Sequence, residues 1–265
     1  MHSGLGERLP KEEELRRLRG EQEEIVVSGS FINERKPSDV LWMDMPQTDY
    51  DTALDLQRRI VRAKVEKRFT TDIILALEHL PVFTIGRRGG LDSLRVPIDF
   101  LDQKGIKVVH AERGGDITYH GPGQLVIYPL VDLKVLSRKI VDYVGALEEI
   151  MVRVAAWFGV DAAGNRKNRG AWVGNKKLGS LGISVRGGVA FHGLAINVHP
   201  ALEPFSWIHP CGLEGVEMTT LEREAGRPLS LDDVRLASRV AFEIVFNFDL
   251  RRANDSKAEL KMMGI

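Results

Sequence analysis

The sequence predicts an α/β fold of the α+β kind, in which helices pack against a mixed, largely antiparallel sheet. Three segments have the 3.6-residue periodicity of amphipathic helices, and short apolar or alternating runs between them are typical of strands. The strands predicted between residues 170 and 198 follow one another through short turns. That spacing favours antiparallel pairing over a regular βαβ repeat.

The predicted helices cover residues 49–67, 139–158 and 231–246. Each has residues at its ends that favour helix capping. Thr48 is the expected N-cap of the first helix, and Ser137 precedes the second, which Gly159 follows. Ser230 and Asp233 have the spacing of a capping box at the start of the third.

The predicted strands are shorter and lie between these helices. They cover residues 72–77, 82–85, 107–110, 125–130, 170–173, 177–185 and 189–198. Asn175 and the pair Gly187-Gly188 supply turn residues between the last three strands.

Composition restricts the class of protein. The chain has 265 residues, 43% of them hydrophobic and 28% charged, which is typical of a globular protein. Lys+Arg and Asp+Glu both number 37, which argues against nucleic acid as a ligand. There is no apolar run of the ~18 residues that a membrane span needs and no secretory or transit pattern. We therefore expect a cytoplasmic protein that binds no membrane.

The chain ends differ from the body. Residues 1–36 include an almost wholly charged run and predict a flexible arm, residues 37–250 predict one catalytic domain, and residues 251–265 predict a polar, frayed tail. A single cysteine excludes an internal disulfide framework, and the histidines lack the spacing of zinc ligands. We expect no metal and no cofactor.

That single cysteine, Cys211, lies between Pro210 and Gly212 in a predicted rigid turn. The residues alone leave two interpretations open, an inert buried thiol or a nucleophile. A nucleophile needs a nearby cation or base, and the candidates are His209, His120, His192 and Lys177.

Residues 113–124 hold four glycines and one proline, so neither a regular helix nor a plain central strand is expected there. Because glycine allows a ligand to approach the backbone closely, the segment predicts a backbone-lined slot for an extended ligand. An elaborate structural turn is the alternative.

Adjacent lysines, Lys176 and Lys177, begin another glycine-containing strand. Strand alternation predicts that one of them faces inward and the other outward, and it groups Lys177 with Gly179 and Leu181 on one face. Two solvated lysines at a hairpin end are the alternative.

In combination these segments resemble the lipoyl(octanoyl) transferases. The motifs are RGGDITYHGPGQ at 113–124, KLGSLG at 177–182, FHGLAINV at 191–198 and HPCG at 209–212, together with EHLPVFTIG at 78–86. The resemblance spans residues 40–250 and implies the fold of biotin and lipoate protein ligase catalytic domains. It also implies transfer of an octanoyl group from octanoyl-acyl carrier protein to a lysine of a lipoyl domain.

Residue roles and partners follow from that resemblance alone. It implies that Cys211 is the nucleophile and that Lys177, rather than Lys176, lowers its pKa. It implies substrate-lining residues in three segments: Arg113, Gly114, Gly115, Asp116, Ile117, Thr118, Tyr119 and His120; Ser180, Leu181 and Gly182; Gly193, Leu194 and Ala195. The implied acceptors are acyltransferase subunits of 2-oxoacid dehydrogenases and the glycine-cleavage H protein. We expect a monomer.

Two other functions remain open at this stage. An ATP-dependent lipoate or biotin protein ligase would use an acyl-adenylate and need no cysteine. A non-catalytic module would bind acyl carrier protein without forming a covalent adduct. Basic runs at residues 58–68 and 166–169 are candidate docking surfaces for the acidic carrier protein.

Overall fold

A large twisted sheet organises the part of the chain that the computed structural model describes, which is residues 38–136, 138–209, 216–253, 256–262 and 264–265. The predicted arm at residues 1–36 lies outside these ranges. The strands are β1 Ser38–Asp44, β2 Asp72–Leu77, β3 Val82–Ile85, β4 Lys107–His110, β5 Ile117–His120, β6 Gln124–Leu130, β7 Ala163–Gly164, β8 Gly170–Val173, β9 Lys176–Arg186, β10 Val189–Asn197, β11 Glu217–Met218 and β12 Phe248–Arg252. The helices are α1 Tyr50–Val65, α2 Ile98–Gln103, α3 Ile140–Trp157, α4 Leu221–Ala225, α5 Leu231–Phe246 and α6 Ser256–Met262.

The strands form two sheets. The larger one has the order β12-β1-β2-β6-β10-β9-β8-β7, with β11 pairing beside β9, and the smaller one has the order β4-β3-β5. In the larger sheet β1 is parallel to β2 and β12, and β11 is parallel to β9, whereas the other pairs are antiparallel. The predicted mixed, largely antiparallel sheet with packed helices is confirmed.

The central strands are apolar on both faces because helices cover both faces. Alternate residues of β2 enter different clusters: Ile73 and Leu75 pack with α1, whereas Ile74 and Ala76 pack on the side of α3 and α5. A third cluster, around Phe83, joins the smaller sheet to a 3₁₀ turn at Glu203–Trp207. None of the described helices is long and apolar enough to cross a membrane.

The three predicted helices are present, and the N-cap of the first differs from expectation. The N-cap of α1 is Asp49 and not Thr48, because the Asp49 carboxylate accepts hydrogen bonds from the N–H groups of Asp51 and Thr52. Helix α3 begins after Lys139, which makes no side-chain capping bond, and Ser137 lies outside the described residues. At α5 the Ser230 hydroxyl accepts from the Asp233 N–H, as predicted.

A buried ion pair anchors the last turn of α1 to the sheet. Lys64 Nζ lies 2.7 Å from the Asp72 carboxylate, and both side chains are almost wholly buried. The ammonium also donates to the Thr70 and Thr71 carbonyl oxygens, and the Asp132 N–H donates to Asp72. Lys64 is therefore a structural residue and not part of a solvated basic surface.

The chain end carries more structure than the predicted frayed tail. Strand β12 continues to Arg252, pairs with β1, and is followed by α6, in which Leu260 is buried. Arg251 and Glu259 are linked by an ion pair of 2.7 Å. Strand β12 runs through residue 250. The division of the chain into a catalytic domain and a tail at that residue stays a prediction.

Candidate active site

A narrow cavity lies where β5, β6, β9 and β10 meet the first turn of α1. We call it the acyl pocket. Its lining residues are Tyr50, Arg113, Gly115, Asp116, Ile117, Thr118, His120, Val126, Tyr128, Ser180, Leu181, Gly182, His192, Gly193, Leu194 and Ala195. Most of its surface comes from apolar side chains and glycine backbone, so the pocket suits an apolar, extended ligand.

The three sequence segments singled out above converge on this pocket. Of the predicted substrate-lining residues, all but Gly114 and Tyr119 line it. The Gly114 N–H donates to the Ile183 carbonyl oxygen, and the Tyr119 ring packs against Phe83 and Phe205. A binding role for the others remains a prediction.

The segment predicted as a glycine-rich loop includes strand β5, which lies at the edge of the smaller sheet. Two glycines on neighbouring strands have a packing reason to be glycine. A Cβ at Gly193 would lie 2.7 Å from Pro129 Cδ and closer still to the Ile127 carbonyl oxygen. A Cβ at Gly182 would lie 2.8 Å from the Gly114 carbonyl oxygen. The pocket floor therefore depends on close backbone approach.

Arg113 clamps the rim of the pocket. Its guanidinium donates to the carbonyl oxygens of Gly114 and Asp116, and to both the carbonyl and the hydroxyl oxygen of Thr84 on β3. These bonds use all of its five N–H donors. Arg113 therefore ties the loop to β3, a positioning contribution that the sequence did not indicate.

Two buried histidines flank the pocket in hydrogen-bonded pairs. The His120 Nδ1–H donates to Gln124 Oε1 at 2.6 Å, and the Tyr128 hydroxyl lies 2.7 Å from His79 Nε2, whose ring donates through Nδ1–H to Thr48 O. Burial lowers the pKa of His79 to about 4 and that of His120 to about 3. Both imidazoles are neutral at pH 7, so they suit a pocket that holds an uncharged chain.

Tyr50, Tyr128 and His192 also line the pocket, and the sequence did not predict them as lining residues. His192 is 1% exposed, its φ of 56° is rare for a residue with a side chain, and its N–H donates to Gln57 Oε1 at 2.9 Å. Within the described part of the chain, His192 Nε2 and the Tyr50 hydroxyl are buried without a hydrogen-bond partner. Strain and unmet hydrogen bonding at one place are typical of a ligand-binding site.

The two lysines have different surroundings, as predicted. Lys177 is 1% exposed, with its Nζ 5.3 Å from the centre of the Trp172 ring. The Lys176 side chain is 32% exposed and pairs with Glu224 at 3.2 Å. Lys177 is thus the lysine that faces inward.

The predicted grouping of Lys177 with Gly179 and Leu181 is wrong, because β9 contains a bulge. Trp172 pairs with Lys177 and its neighbour Ala171 pairs with Gly179, so an extra residue is inserted between the two pairs. Since Ala171 and Trp172 point to opposite faces, Lys177 and Gly179 do as well. The bulge gives Lys177 the same face as Ser180, which lines the pocket.

Cys211 lies outside the described residues, as do residues 210 and 212–215. The chain on both sides of this segment contacts the site. Ile208 forms an isolated β-bridge with Leu94. The hydroxyl of the neighbouring Ser93 donates to the Asp116 carboxylate at 2.9 Å. On the other side Met218 of β11 pairs with Lys177.

Comparison with known proteins defines the class to which this fold and pocket belong. The family model described as the lipoyl protein ligase A/B catalytic domain matches residues 49–243. Among solved structures, lipoate-protein ligase A bound with ATP has a TM-score of 0.64 at 20% identity and covers 86% of this chain and 93% of its own. The bi-partite lipoate protein ligase of Thermoplasma acidophilum has a TM-score of 0.64 at 19% identity, covering 87% of this chain and 91% of that one. At these identities the likeness shows the fold.

Curated relatives narrow the class. The octanoyltransferase of Desulfotalea psychrophila is 48% identical over 203 residues, which cover 75% of this chain and 91% of that protein. The octanoyltransferase of Caldicellulosiruptor bescii is 44% identical over 206 residues, covering 77% and 90%. The chain belongs to the lipoyl protein ligase A/B catalytic-domain family and, within it, to the octanoyltransferases.

Proposed function

We propose that this enzyme transfers an octanoyl group from octanoyl-acyl carrier protein to a specific lysine of a lipoyl domain, through a thioester on Cys211. This reaction is the first step of protein lipoylation. The observation that carries the proposal is the acyl pocket. Residues of the three family motifs line this pocket, and the chain is 48% identical to an octanoyltransferase.

The lining of the pocket supports an octanoyl substrate. The lining includes the apolar residues Ile117, Val126, Leu181 and Leu194, and glycines leave room beside them. Burying each CH₂ group of an acyl chain contributes about 0.8 kcal/mol. The acyl chain of the substrate therefore contributes to binding through burial of its CH₂ groups.

The reaction needs two acyl transfers. In the first, the Cys211 thiolate attacks the thioester carbonyl, the new C–S bond forms, and the thiolate of the carrier arm leaves and takes up a proton. In the second, the acceptor amine attacks the acyl-enzyme, an amide forms, and the Cys211 thiolate is released. Each step exchanges one bond to the acyl carbon for another, so no ATP is consumed.

Lys177 is the proposed partner of Cys211. A lysine ammonium next to a cysteine stabilises the thiolate, and a lysine amine can accept the proton that the acceptor amine loses. Burial of Lys177 supports this role because a buried charge interacts more strongly with a neighbouring group than an exposed one. Exposed Lys176, paired with Glu224, is not suited to it.

The partners follow from this chemistry. The donor is octanoyl-acyl carrier protein, and the acceptors are lipoyl domains of 2-oxoacid dehydrogenase acyltransferase subunits and the glycine-cleavage H protein. We propose that the enzyme works as a monomer in the cytoplasm, without cofactor.

Intact-protein mass spectrometry tests the proposal. Wild-type enzyme incubated with octanoyl-acyl carrier protein, without ATP and without acceptor, should gain one octanoyl group that hydroxylamine removes. Cys211→Ala should gain none, and Cys211→Ser, the matched control, should form at most an adduct resistant to mild hydroxylamine. An adduct on another residue, or a requirement for ATP, would refute the mechanism.

A further inference from the structure

A second cavity lies on the surface next to the acyl pocket, an open groove of about 1040 Å³. It is formed where the end of β3, the end of β4 and the last residues of β9 come together. Its lining residues are Ile85, Gly86, Arg87, Gly89, His110, Ala111, Glu112, Ser184, Val185 and Arg186. We call it the arginine groove, because Arg87 and Arg186 line it and Arg58 pairs with its Glu112.

Positive charge dominates the arginine groove. Glu112 binds two guanidinium groups, with Arg58 NH2 at 2.6 Å from one carboxylate oxygen and Arg186 NH2 at 2.8 Å from the other. Arg87 is exposed and forms no ion pair with any carboxylate in the described part of the chain. Three arginines, two of them in the lining, therefore accompany the one carboxylate of the lining. The shared Glu112 holds two of them in position, which reduces the entropy that binding an anion would cost.

The groove and the acyl pocket share a wall. The Arg87 N–H donates to the Arg113 carbonyl oxygen at 3.0 Å, and the Arg88 N–H donates to the Gly115 carbonyl oxygen at 3.1 Å. Arg113 and Gly115 both line the acyl pocket. After burial, the positive charges of Arg113, Arg58 and Arg87 are the main causes that lower the pKa of His192 to about 3. Arg58 and Arg87 thus lie within electrostatic range of the pocket interior.

We infer that the arginine groove binds the phosphate of the donor's phosphopantetheine arm while the acyl chain occupies the acyl pocket. This inference rests on the proposed function. Guanidinium groups pair with phosphate oxygens through two parallel hydrogen bonds, so arginine suits this ligand better than lysine does. The donor arm carries this anion at its base, whereas the acceptor presents a lysine ammonium, which a cationic groove repels. The charge of the groove therefore favours the donor.

Part of each basic run noted in the sequence is already paired within the protein. Lys64 is buried in its ion pair with Asp72, Arg68 pairs with Glu66, and Arg169 pairs with Glu148. From the run at residues 58–68, Arg58 contacts the groove through its ion pair with Glu112.

The test compares three donors in the acylation step: octanoyl-acyl carrier protein, octanoyl-phosphopantetheine and octanoyl-pantetheine, which lacks the phosphate. Arg87→Gln should raise KM about tenfold for the two donors that carry phosphate, because one charge-assisted contact is lost. It should change KM for octanoyl-pantetheine less than twofold and leave kcat unchanged for all three. Arg166→Gln, an exposed arginine of the second basic run, is the matched control and should behave as wild type.

Other outcomes overturn the inference. Unchanged kinetics of Arg87→Gln, or an equal loss with octanoyl-pantetheine, would show that the groove does not bind phosphate. A loss confined to the protein-borne donor would assign the groove to the carrier surface instead, and a loss in Arg166→Gln alone would assign docking to the other basic run. Because wild-type acylation is measured in the same series, failure of the proposed function would be seen separately, as no acylation by any donor.

Discussion

Replacing Gly193 with alanine should destabilise the enzyme, and the reason lies in the spacing of two central strands. Gly193 lies on β10, which pairs with β6 in the sheet. An added Cβ would lie 2.7 Å from Pro129 Cδ and closer still to the Ile127 carbonyl oxygen, although real Cβ atoms essentially never approach other heavy atoms within 3.0 Å. Both obstacles belong to a paired central strand, so neither can rotate away as a flexible side chain would.

The magnitude follows from this geometry. Overpacking of a well-packed interior costs about 1–3 kcal/mol, and the backbone contact puts Gly193→Ala at the upper end of that range. Because about 1 kcal/mol changes Tm by about 2–4 °C in a protein of this size, we expect Tm to fall by about 6–10 °C. Displacement of β10 from β6 would also deform the acyl pocket, so KM for the octanoyl donor should rise.

Gly145 provides a control. Gly145→Ala is the same substitution, but we expect it to raise the stability of the protein. It lies inside α3, where an added Cβ would meet no atom within 4 Å. Alanine there should stabilise the helix by about 0.5–1 kcal/mol. Thermal unfolding of both variants by circular dichroism tests the reasoning. A Gly193→Ala variant as stable as wild type would show that the strand spacing does not require glycine.

Three further predictions concern buried ionisable groups. Lys177→Met should slow acylation most near pH 7, with partial recovery at higher pH as more thiolate forms, while Lys176→Met should stay within about twofold in single-turnover assays. Lys64→Met should lower the unfolding free energy by about 3–5 kcal/mol at pH 7, because it leaves Asp72 buried without its cation. His79→Gln should make stability less dependent on pH between 7 and 5, as measured by urea unfolding.

The expected pH dependence follows from the pKa values in the two states. Burial raises the pKa of Asp72, and Lys64 opposes this rise, so Lys64→Met raises it further. The deficit of that variant should therefore shrink as pH falls and the Asp72 carboxyl takes up a proton. The pKa of His79 is about 4 in the folded protein, against about 6.5 unfolded, so the unfolded chain binds more protons between these values. Stability should fall by about 1.4 kcal/mol per pH unit for each such histidine below about pH 6.5.

Three results would contradict these predictions. Greater damage in Lys176→Met than in Lys177→Met would reverse the roles of the two lysines. A pH-independent loss of stability in Lys64→Met would mean that Asp72 does not remain a buried charge. An equally steep pH dependence in His79→Gln and wild type would show that folding does not lower the pKa of His79.

Local patterns in the sequence were sufficient for the fold class. The helix predicted over residues 231–246 and the strands predicted at 72–77, 82–85 and 107–110 match the observed bounds. Such elements are predictable because burying one face imposes a period of 3.6 or 2 residues on the apolar positions. Strands β1 and β12 were not predicted, although residues of both are buried in the sheet.

The site depends on contacts between residues far apart in the chain, which no local sequence pattern predicts. The sequence by itself singled out the glycine-rich segment and predicted that one of the two adjacent lysines faces inward. Only the tertiary structure decided that a bulge places Lys177 on the face of Ser180, and that Tyr50 and His192 enter the same pocket. The physical reason is that cross-strand register and helix docking are set by residues far apart in the chain. The arginine groove depends on the same kind of contact, since Arg87, which follows β3, and Arg186 of β9 line it, and Arg58 of α1 pairs with its Glu112.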